Sequence, residues 1–526
     1  MRVLALDGID KRGLDILREA GMEVTARGKM NEAELKEALQ KDYEALLVRS
    51  GTKVTAGAID AAKKLKIIGR AGVGTDNIDI AAATEKGIVV VNAPEGNTVA
   101  AAEHTIAMMM ALARNIPQAN AALKQGVWDK KKYLGVELRG KTLGVIGMGK
   151  IGREVARRAR GLEMRVIAYD PYVNLDQLGR LEVELTSLEE VYKEADFLTF
   201  HLPLTKDTRY ILSAEEIKLL KPGARVLNVA RGGIIDENAL YEALQEGRLA
   251  GAALDVFEQE PLKTSPLQSL DNVILTPHLG ASTEEAQAAV SVEVAQDVIR
   301  CLKGDPVLNA VNIPVMRGHV AEVLHPYLQL AEKLGSFIVQ LMEGPILSVE
   351  MNFNGELAEH DLAPVNNSFL KGLLRPLLAD AVNYVNAPLL AKKRGIRIQE
   401  NKSREMKYFA NLISVKVQGR RESHHLAGTV DQAGELRIVN LDGFSVDATP
   451  EGHMLVVPHI DRPRIVGPVA MIIGDEGINI AGMQVGRRER GGEAVMLMRI
   501  DSAVPRDTLN ALRQVDGVLD IRYIHL

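Results

Sequence analysis

The 526-residue chain is long enough for about three or four domains. Its 64 basic and 69 acidic residues nearly cancel to a net charge of −5, and aromatics make up only 4%, which argues against a polyanionic partner and against a base-stacking surface for single-stranded nucleic acid. The single cysteine, Cys301, excludes a disulfide within the chain and argues against a cysteine-based zinc site, so no metal is expected.

The opening residues, Met1-Arg-Val-Leu, read as a strand rather than a signal peptide. No apolar run approaches the ~18 residues of a membrane span, so a soluble, cytoplasmic protein is expected. Residues 2–6 form the first strand, followed by a helical pattern at Leu14, Leu17 and Ala20, a stop at Gly21 and a second strand near Met22–Ala26. A helix over Glu32–Gln40 leads to the strand Ala45–Val48, which ends at Arg49. A further helix, Ala58–Lys64, precedes the strand Ile67–Gly69 and then Arg70. Strand and helix alternate, which predicts a doubly wound parallel sheet whose ligands gather at the carboxyl ends of its strands. Arg49 and Arg70 both follow strand ends, so they are either two fixed cations facing one cleft or two ordinary surface arginines.

Asn92–Thr98 is a turn-rich boundary, and a helix runs through Ala100–Ala113. Its Met108–Met110 run reads as core packing, and His104 as a satisfied helix histidine. Trp128-Asp-Lys-Lys-Lys-Tyr133 is a local basic cluster, either a solvated loop or an arm reaching a neighbouring anionic site.

The stretch from Leu143 to Asp170 reads as strand, glycine turn, helix, strand, acid. Leu143–Ile146 is a buried strand running into Gly147-Met-Gly149-Lys150-Ile151-Gly152, and a helical pattern continues at Val155 and Ala159. A second apolar run, Met164–Tyr169, ends at Asp170. In such a unit the first glycine permits the tight turn and the second lets backbone approach a pyrophosphate. The third lets the helix pack close to the strand, with its first N–H groups facing the phosphates. Asp170 is placed to accept hydrogen bonds from a ribose 2′-hydroxyl and would repel a 2′-phosphate, so NAD is expected rather than NADP.

Strand-end signals then recur. Asp196–His201 is a strand; Arg225–Ala230 ends at Arg231; Gly251–Leu254 ends at Asp255, with Glu260 close behind; Val273–Thr276 ends at Pro277-His278. Moving hydride to or from an alcohol carbon requires a proton to move on the oxygen. Histidine titrates nearest neutrality, and a carboxylate can orient it and raise its proton affinity. A substrate carboxylate needs a bidentate anchor, which arginine supplies. His278, Glu260 and Arg231 fill these catalytic roles.

The glycine turn with Asp170, Asn-Val-Ala-Arg231-Gly-Gly, Phe-Glu-Gln-Glu260-Pro and Thr-Pro-His278-Leu-Gly together resemble the D-2-hydroxyacid dehydrogenase family. Arg70-Ala-Gly-Val-Gly-Thr-Asp-Asn77 and Pro94-Glu-Gly-Asn97 extend the resemblance over roughly residues 1–312. The resemblance implies a substrate-binding domain of residues 1–96 and 285–312, joined by two crossings to an NAD-binding domain of residues 97–284. It also implies cofactor contacts from Gly147, Gly149, Lys150, Ile151, Gly152, Asp170, Asp255 and Gly280, and substrate contacts from Arg49, Arg70, Gly72, Asn97, Arg231 and His278.

Residues 317–450 read as an intervening α/β block, with a helix over Val323–Met342 and strands at Ile346–Phe353 and Ser414–Gln418. It carries no catalytic constellation, and the adjacent His424-His425 do not have the spacing of metal ligands. From Gly452 the order is strand (Met454–Ile460), helix (Arg464–Ile473), strand (Ile478–Val485), strand (Ala494–Ile500), helix (Arg506–Val515) and strand (Val518–Ile524), a ferredoxin-like plan. With Asp461-Arg-Pro and Gly477-Ile-Asn479 it resembles an ACT regulatory domain over 452–526.

The expected architecture is therefore α/β: two Rossmann-like parallel-sheet domains, an intervening domain and an ACT domain. Within the family this arrangement is similar to the long-form enzymes of serine biosynthesis. The likeness implies NAD-dependent oxidation of 3-phospho-D-glycerate to 3-phosphohydroxypyruvate, in a homodimer or homotetramer. It further implies L-serine as a candidate effector at a joint between two paired ACT domains, which Asp461 and Asn479 would face. Two alternatives stay open: a dehydrogenase of glycerate or lactate, which needs no phosphate cleft, and an NAD-sensing corepressor, which leaves the ACT domain unexplained.

Overall fold

The computed structural model describes residues 1–179, 181–316, 319–405 and 408–526. The short apolar runs of the first segment become a five-stranded parallel sheet: β1 (Arg2–Ala5), β2 (Glu23–Ala26), β3 (Ala45–Val48), β4 (Ile67–Arg70) and β5 (Val89–Asn92), in the order β2-β1-β3-β4-β5. All four residues of β3 are wholly buried, as a strand covered on both faces must be. β5 is hard to separate in the sequence, because its valines run directly into the turn-rich boundary. The returning chain completes this domain. Helix Glu284–Lys303 lies against β4 so closely that a Cβ on Gly69 would stand 2.4 Å from Val294 Cγ1. Beyond that helix, Val311 N–H donates to Val90 O at 2.9 Å and Asn92 N–H to Asn309 O at 3.2 Å.

The second sheet is also parallel: β6 (Thr142–Ile146), β7 (Arg165–Tyr169), β8 (Glu184–Leu185), β9 (Phe197–Phe200), β10 (Arg225–Asn228), β11 (Gly251–Leu254) and β12 (Val273–Leu275), in the order β12-β11-β10-β9-β6-β7-β8. The order reverses beside β6, which sets the glycine turn at the switch point where ligands bind such sheets. Arg231, Glu260 and His278 follow three adjacent strands, β10, β11 and β12. Helix Thr98–Arg114 packs on this sheet through Met108 and Met109, while Met110 points outward at 44% exposure, so only two of the three methionines are core.

The intervening block has more strand than its sequence pattern suggested. It is a mixed sheet of β13 (Ile346–Gly355), β14 (Arg397–Ser403), β15 (Asn411–Gly419), β16 (Ser423–Val430), β17 (Leu436–Leu441) and β18 (Phe444–Ala448), in the order β14-β13-β15-β16-β17-β18. Helices His319–Leu341 and Ala363–Leu378 cover its inner face and meet glycine to backbone. A Cβ on Gly335 would stand 2.2 Å from Phe369 O, and one on Gly372 2.0 Å from Glu332 O. The block grips the first domain where Asn383 Nδ2 donates to Gly87 O at 2.8 Å and Asn386 Nδ2 to Glu85 O at 3.3 Å.

The last domain has β19 (His453–Ile460), β20 (Ile480–Arg487), β21 (Glu493–Ile500) and β22 (Arg522–His525) in the antiparallel order β20-β21-β19-β22. Its final strand is shorter than the predicted Val518–Ile524. Val518 N–H instead closes a turn onto Val515 O, and Asp520 Oδ1 takes the Ile521 N–H, so pairing with β19 begins only at Arg522 apart from one bridge between Val518 and His459. The first helix starts at Val466 rather than Arg464, whose φ of 69° lies outside the helical region. Among the described residues, no helix is long and apolar enough to cross a membrane.

Candidate active site

At the switch point the glycine turn folds tightly on itself. Gly147 has φ 99°, and a Cβ there would stand 2.5 Å from His201 O; one on Gly152 would stand 2.0 Å from Gly147 O. Gly149 caps helix Lys150–Gly161 without a side-chain hydrogen bond, and its Cβ direction is open for 4 Å. A helix start with uncapped N–H groups and open space before it is suited to an anion. Asp170, just past β7, accepts the Met148 N–H at 2.8 Å and the Tyr172 N–H at 2.9 Å, so the acid and the glycine turn hold one another in place. Lys150 Nζ lies 2.6 Å from Glu95 Oε1, bridging the turn to the crossing segment before helix Thr98–Arg114.

Beyond β11 and β12, His278 Nδ1 sits 2.8 Å from Glu260 Oε2, which leaves Nε2 for proton exchange. The other carboxylate oxygen of Glu260 accepts the Phe257 N–H at 3.1 Å. Burial pushes the Glu260 carboxyl up, but the hydrogen bond from His278 and its charge more than offset this and hold it below the ordinary carboxylate value. Asp255 follows β11 directly. It has no exposed surface, and its carboxylate is taken up by Thr276 Oγ1 (2.6 Å), Leu279 N–H (2.7 Å) and Gly280 N–H (2.8 Å). Gly280 thus serves the turn that carries His278.

Three arginines converge on the cleft between the first two sheets. Arg231 spans it, with Nε 3.2 Å from Asp76 Oδ2, and a Cβ on Gly74 would stand 2.2 Å from Arg231 Nη2. Arg70 is half-buried, its Nε enclosed and without a hydrogen-bond partner among the described residues. Burial, together with the charges of Arg231 and Arg49 and against those of Asp76 and Asp7, pushes its guanidinium down to about 10. Gly72 makes room for that guanidinium: at φ 143° its Cβ would lie 1.5 Å from Arg70 Nη1. The backbone of Arg49 is fixed from both sides, its N–H by Asp7 Oδ2 at 3.0 Å and its carbonyl by Asn77 Nδ2 at 2.8 Å. Asn97, at the start of helix Thr98–Arg114, has a buried Oδ1 with no partner among the described residues.

Sequence reasoning named the three arginines but missed the residues that hold them. Asp7 stands just past the end of β1 as Arg49 does past β3, a strand-end signal in the sequence. Asp76 and Asn77 lie in a loop whose fold no periodicity reports. Asp461 and Asn479 are not brought together within the chain. Asp461 faces Arg487 Nη1 at 3.4 Å, and Asn479 Nδ2 donates to Asp501 Oδ2 at 2.8 Å, at opposite ends of the last sheet.

Comparison with known proteins matches residues 106–280 to the D-isomer specific 2-hydroxyacid dehydrogenase NAD binding domain. Residues 323–442 match the D-3-phosphoglycerate dehydrogenase intervening domain, and residues 453–517 the ACT domain. D-3-phosphoglycerate dehydrogenase of Methanocaldococcus jannaschii is 47% identical, with 100% of each chain covered. The chain belongs to the D-3-phosphoglycerate dehydrogenase family. The Bacillus subtilis protein of that description is 44% identical, over 100% of this chain and 99% of its own. Among solved structures, the D-lactate dehydrogenase of Aquifex aeolicus complexed with NAD and lactic acid is 31% identical and covers 58% of this chain and 96% of its own at a TM-score of 0.51. The apo D-lactate dehydrogenase of Escherichia coli is 30% identical and covers 59% of this chain and 100% of its own at a TM-score of 0.53.

The family's NAD-binding segment contains the glycine turn, Asp170, Arg231, Glu260 and His278, whereas Arg49 and Arg70 lie outside it. NAD is the cofactor, and the residues fit it: the uncapped helix start suits a pyrophosphate and the Asp170 carboxylate a ribose.

Proposed function

We propose that the chain catalyses the NAD-dependent oxidation of 3-phospho-D-glycerate to 3-phosphohydroxypyruvate, the first step of L-serine biosynthesis. Bound NAD supplies the hydride acceptor for the substrate C2. His278 Nε2 takes the hydroxyl proton as the carbonyl forms, and Glu260 on Nδ1 stabilises the resulting imidazolium. Arg231 holds the substrate carboxylate and the developing carbonyl oxygen. Arg49 and Arg70 hold the phosphate, and Asn97 offers its unpartnered carbonyl oxygen to a hydroxyl. Closure of the cleft between the first two domains would exclude water from these bonds and strengthen them.

The observation that carries this reading is the half-buried Arg70, kept charged beside two other arginines with an unpartnered Nε. A substrate with only one carboxylate would not need that much positive charge. The test is NADH formation by the purified chain on 3-phospho-D-glycerate, with D-glycerate as control. A kcat/KM on glycerate equal to that on the phosphorylated acid would remove the phosphate from the reading.

The same reading includes a homodimer or homotetramer. The loop Lys130–Lys132, ordered by Asp129 Oδ1 through the Lys131 and Lys132 N–H groups, would then approach a neighbour's cleft. L-serine acts as effector at a joint between two terminal domains. Sedimentation of the native chain with and without serine measures both.

A further inference from the structure

We propose that His104 is a positioning residue for the proton-transferring histidine, acting through the buried carboxylate of Asp255. The inference rests on His278 being the acid–base group.

Asp255 holds the catalytic turn at every residue. Its backbone oxygen accepts the His278 N–H at 2.9 Å, and its carboxylate accepts the N–H groups of Leu279 (2.7 Å) and Gly280 (2.8 Å). His278 itself has φ 57°, a left-handed conformation that a residue with a Cβ keeps only where its surroundings enforce it. The carboxylate has two further partners, Thr276 Oγ1 at 2.6 Å and, from helix Thr98–Arg114, His104 Nε2 at 3.3 Å. The sequence gives His104 no role beyond packing.

The proton on His104 can be assigned from its neighbours. Nε2 also lies 3.3 Å from Thr276 Oγ1. The single hydroxyl proton of Thr276 is already committed to Asp255, and an ionised carboxylate only accepts. Both contacts therefore require His104 Nε2 to carry a proton, which it shares between Asp255 and Thr276. Burial pushes the Asp255 carboxyl up; hydrogen bonds from His104, Thr276, Leu279 and Gly280 more than offset this and hold it below the ordinary value. The other charged groups nearby are Glu260 and His278, on the loops beyond β11 and β12. His104 is the only side chain in this set that comes from the helix, so it also ties the helix that begins at Asn97 to the position of His278.

Without His104 the buried carboxylate loses a donor and takes up a proton at higher pH. A protonated acid no longer accepts from Thr276, Leu279 and Gly280 together, and the turn slackens. A group whose folded value is depressed stabilises the protein above its unfolded value and loses that contribution as pH falls through the folded one. The acid side of the stability profile should therefore move to higher pH when His104 is lost.

The test compares the full chain with His104→Gln, whose amide still donates, and His104→Leu, which cannot. For His104→Leu kcat should fall about tenfold, with NADH affinity within about twofold of native. His104→Gln should keep a kcat within about threefold of native. Melting temperature followed down from about pH 8 should fall earlier for His104→Leu than for the other two. Coincident melting profiles for native and His104→Leu would overturn the proposal, as would His104→Gln matching His104→Leu in both kcat and melting. If the native chain oxidises no D-2-hydroxyacid, the proposed function falls and the melting comparison alone decides this inference.

Discussion

Arg231 and Asp76 meet across the cleft, Nε to Oδ2 at 3.2 Å, although 155 residues separate them in the chain. Arg231 stands beyond β10 of the second sheet, and Asp76 in the loop beyond β4 of the first. Asp76 is 71% exposed, so by itself the pair contributes little, about 0–1 kcal/mol. Its larger effect is on the field. Asp76, with Asp7, offsets the repulsion that Arg231 and Arg49 exert on Arg70. Asp76→Asn should leave kcat within a few-fold of native and tighten competitive inhibition by inorganic phosphate about threefold. Steady-state inhibition at fixed ionic strength measures this, and weaker phosphate inhibition would show that Asp76 shapes the anion site rather than opposing it.

Gly72 offers a test of the phosphate site that leaves every charge in place. A methyl group at 72 would stand 1.5 Å from Arg70 Nη1, on a backbone with φ 143°. Gly72→Ala should therefore displace the guanidinium and raise KM for 3-phospho-D-glycerate about tenfold or more, approaching the effect of Arg70→Met. NAD affinity should stay near native. Parallel initial-rate series in the two substrates separate these effects, and an unchanged KM would place the phosphate away from Arg70.

Asp170 has two functions that substitutions can separate. Its carboxylate both accepts the Met148 N–H and presents charge at the ribose position. Asp170→Asn keeps an acceptor for Met148 and removes the charge, so rejection of NADP should relax about tenfold with the turn intact. Asp170→Ala removes both and should weaken NAD and NADP alike. The ratio of kcat/KM for the two cofactors is the measurement; if Asn leaves it at the native value, the acid does not face the ribose.

What the sequence showed of this site follows from what each part depends on. Most strands of both parallel sheets were legible because buried strands are apolar runs ended by turn residues; β5 and the two-residue β8 were not. Arg49, Arg70, Arg231 and His278 were legible because they stand at strand ends. Contacts set by the tertiary path were not. Asp76 reaches Arg231 only because two sheets face one cleft, and Asp255 turned inward because the backbone N–H groups of Leu279 and Gly280 needed a buried acceptor. In the intervening domain β16, β17 and β18 carry polar residues on an open face and bulges in their pairing, so period-two alternation is blurred. The parallel course of β19 and β20 puts Asp461 and Asn479 at opposite ends of the last sheet, a separation that the strand order alone does not report.

His424, at the seam between the last two domains, should make stability depend on pH. Its Nδ1 lies 2.8 Å from Asp442 Oδ2 and its Nε2 3.8 Å from Glu422 Oε2. Arg522 of the last domain pairs with Glu343 beside it, and Arg488 donates to the Asp442 carbonyl. The hydrogen bond to Asp442 is the main cause that raises the His424 value above the usual 6.5, opposed by burial and by Arg522. A raised value means that the stabilisation is fully present below the unfolded value and is lost as pH rises through the folded one. Urea unfolding should therefore show His424→Gln clearly less stable than native near pH 6 and nearly equal to it near pH 9. A difference that grew with pH would reverse the assignment.

The last prediction concerns the effector. Asp461 lies opposite Gly492 and Asn479 opposite Asp501, at the two ends of the same central strand, so they stand roughly 30 Å apart along the sheet of one chain. One terminal domain therefore cannot close both around an amino acid. Two can, if they pair antiparallel along β20. That strand is an edge of its sheet, with Met483 39% and Val485 42% exposed. A two-fold axis there would set Asp461 of each copy beside Asn479 of the other, giving two equal sites. Serine lowers activity only if it binds the slow conformation more tightly than the fast one. Asp461→Ala and Asn479→Ala chains should each lose serine inhibition while keeping native kcat. When the two variants are co-expressed, each mixed pair has one site with both substitutions and one with neither, so part of the inhibition should return. Mixed pairs as insensitive as the parents would show that the two residues do not share a site between copies. Calorimetry that detects no serine binding to the native chain would leave the terminal domain with an assembly role alone.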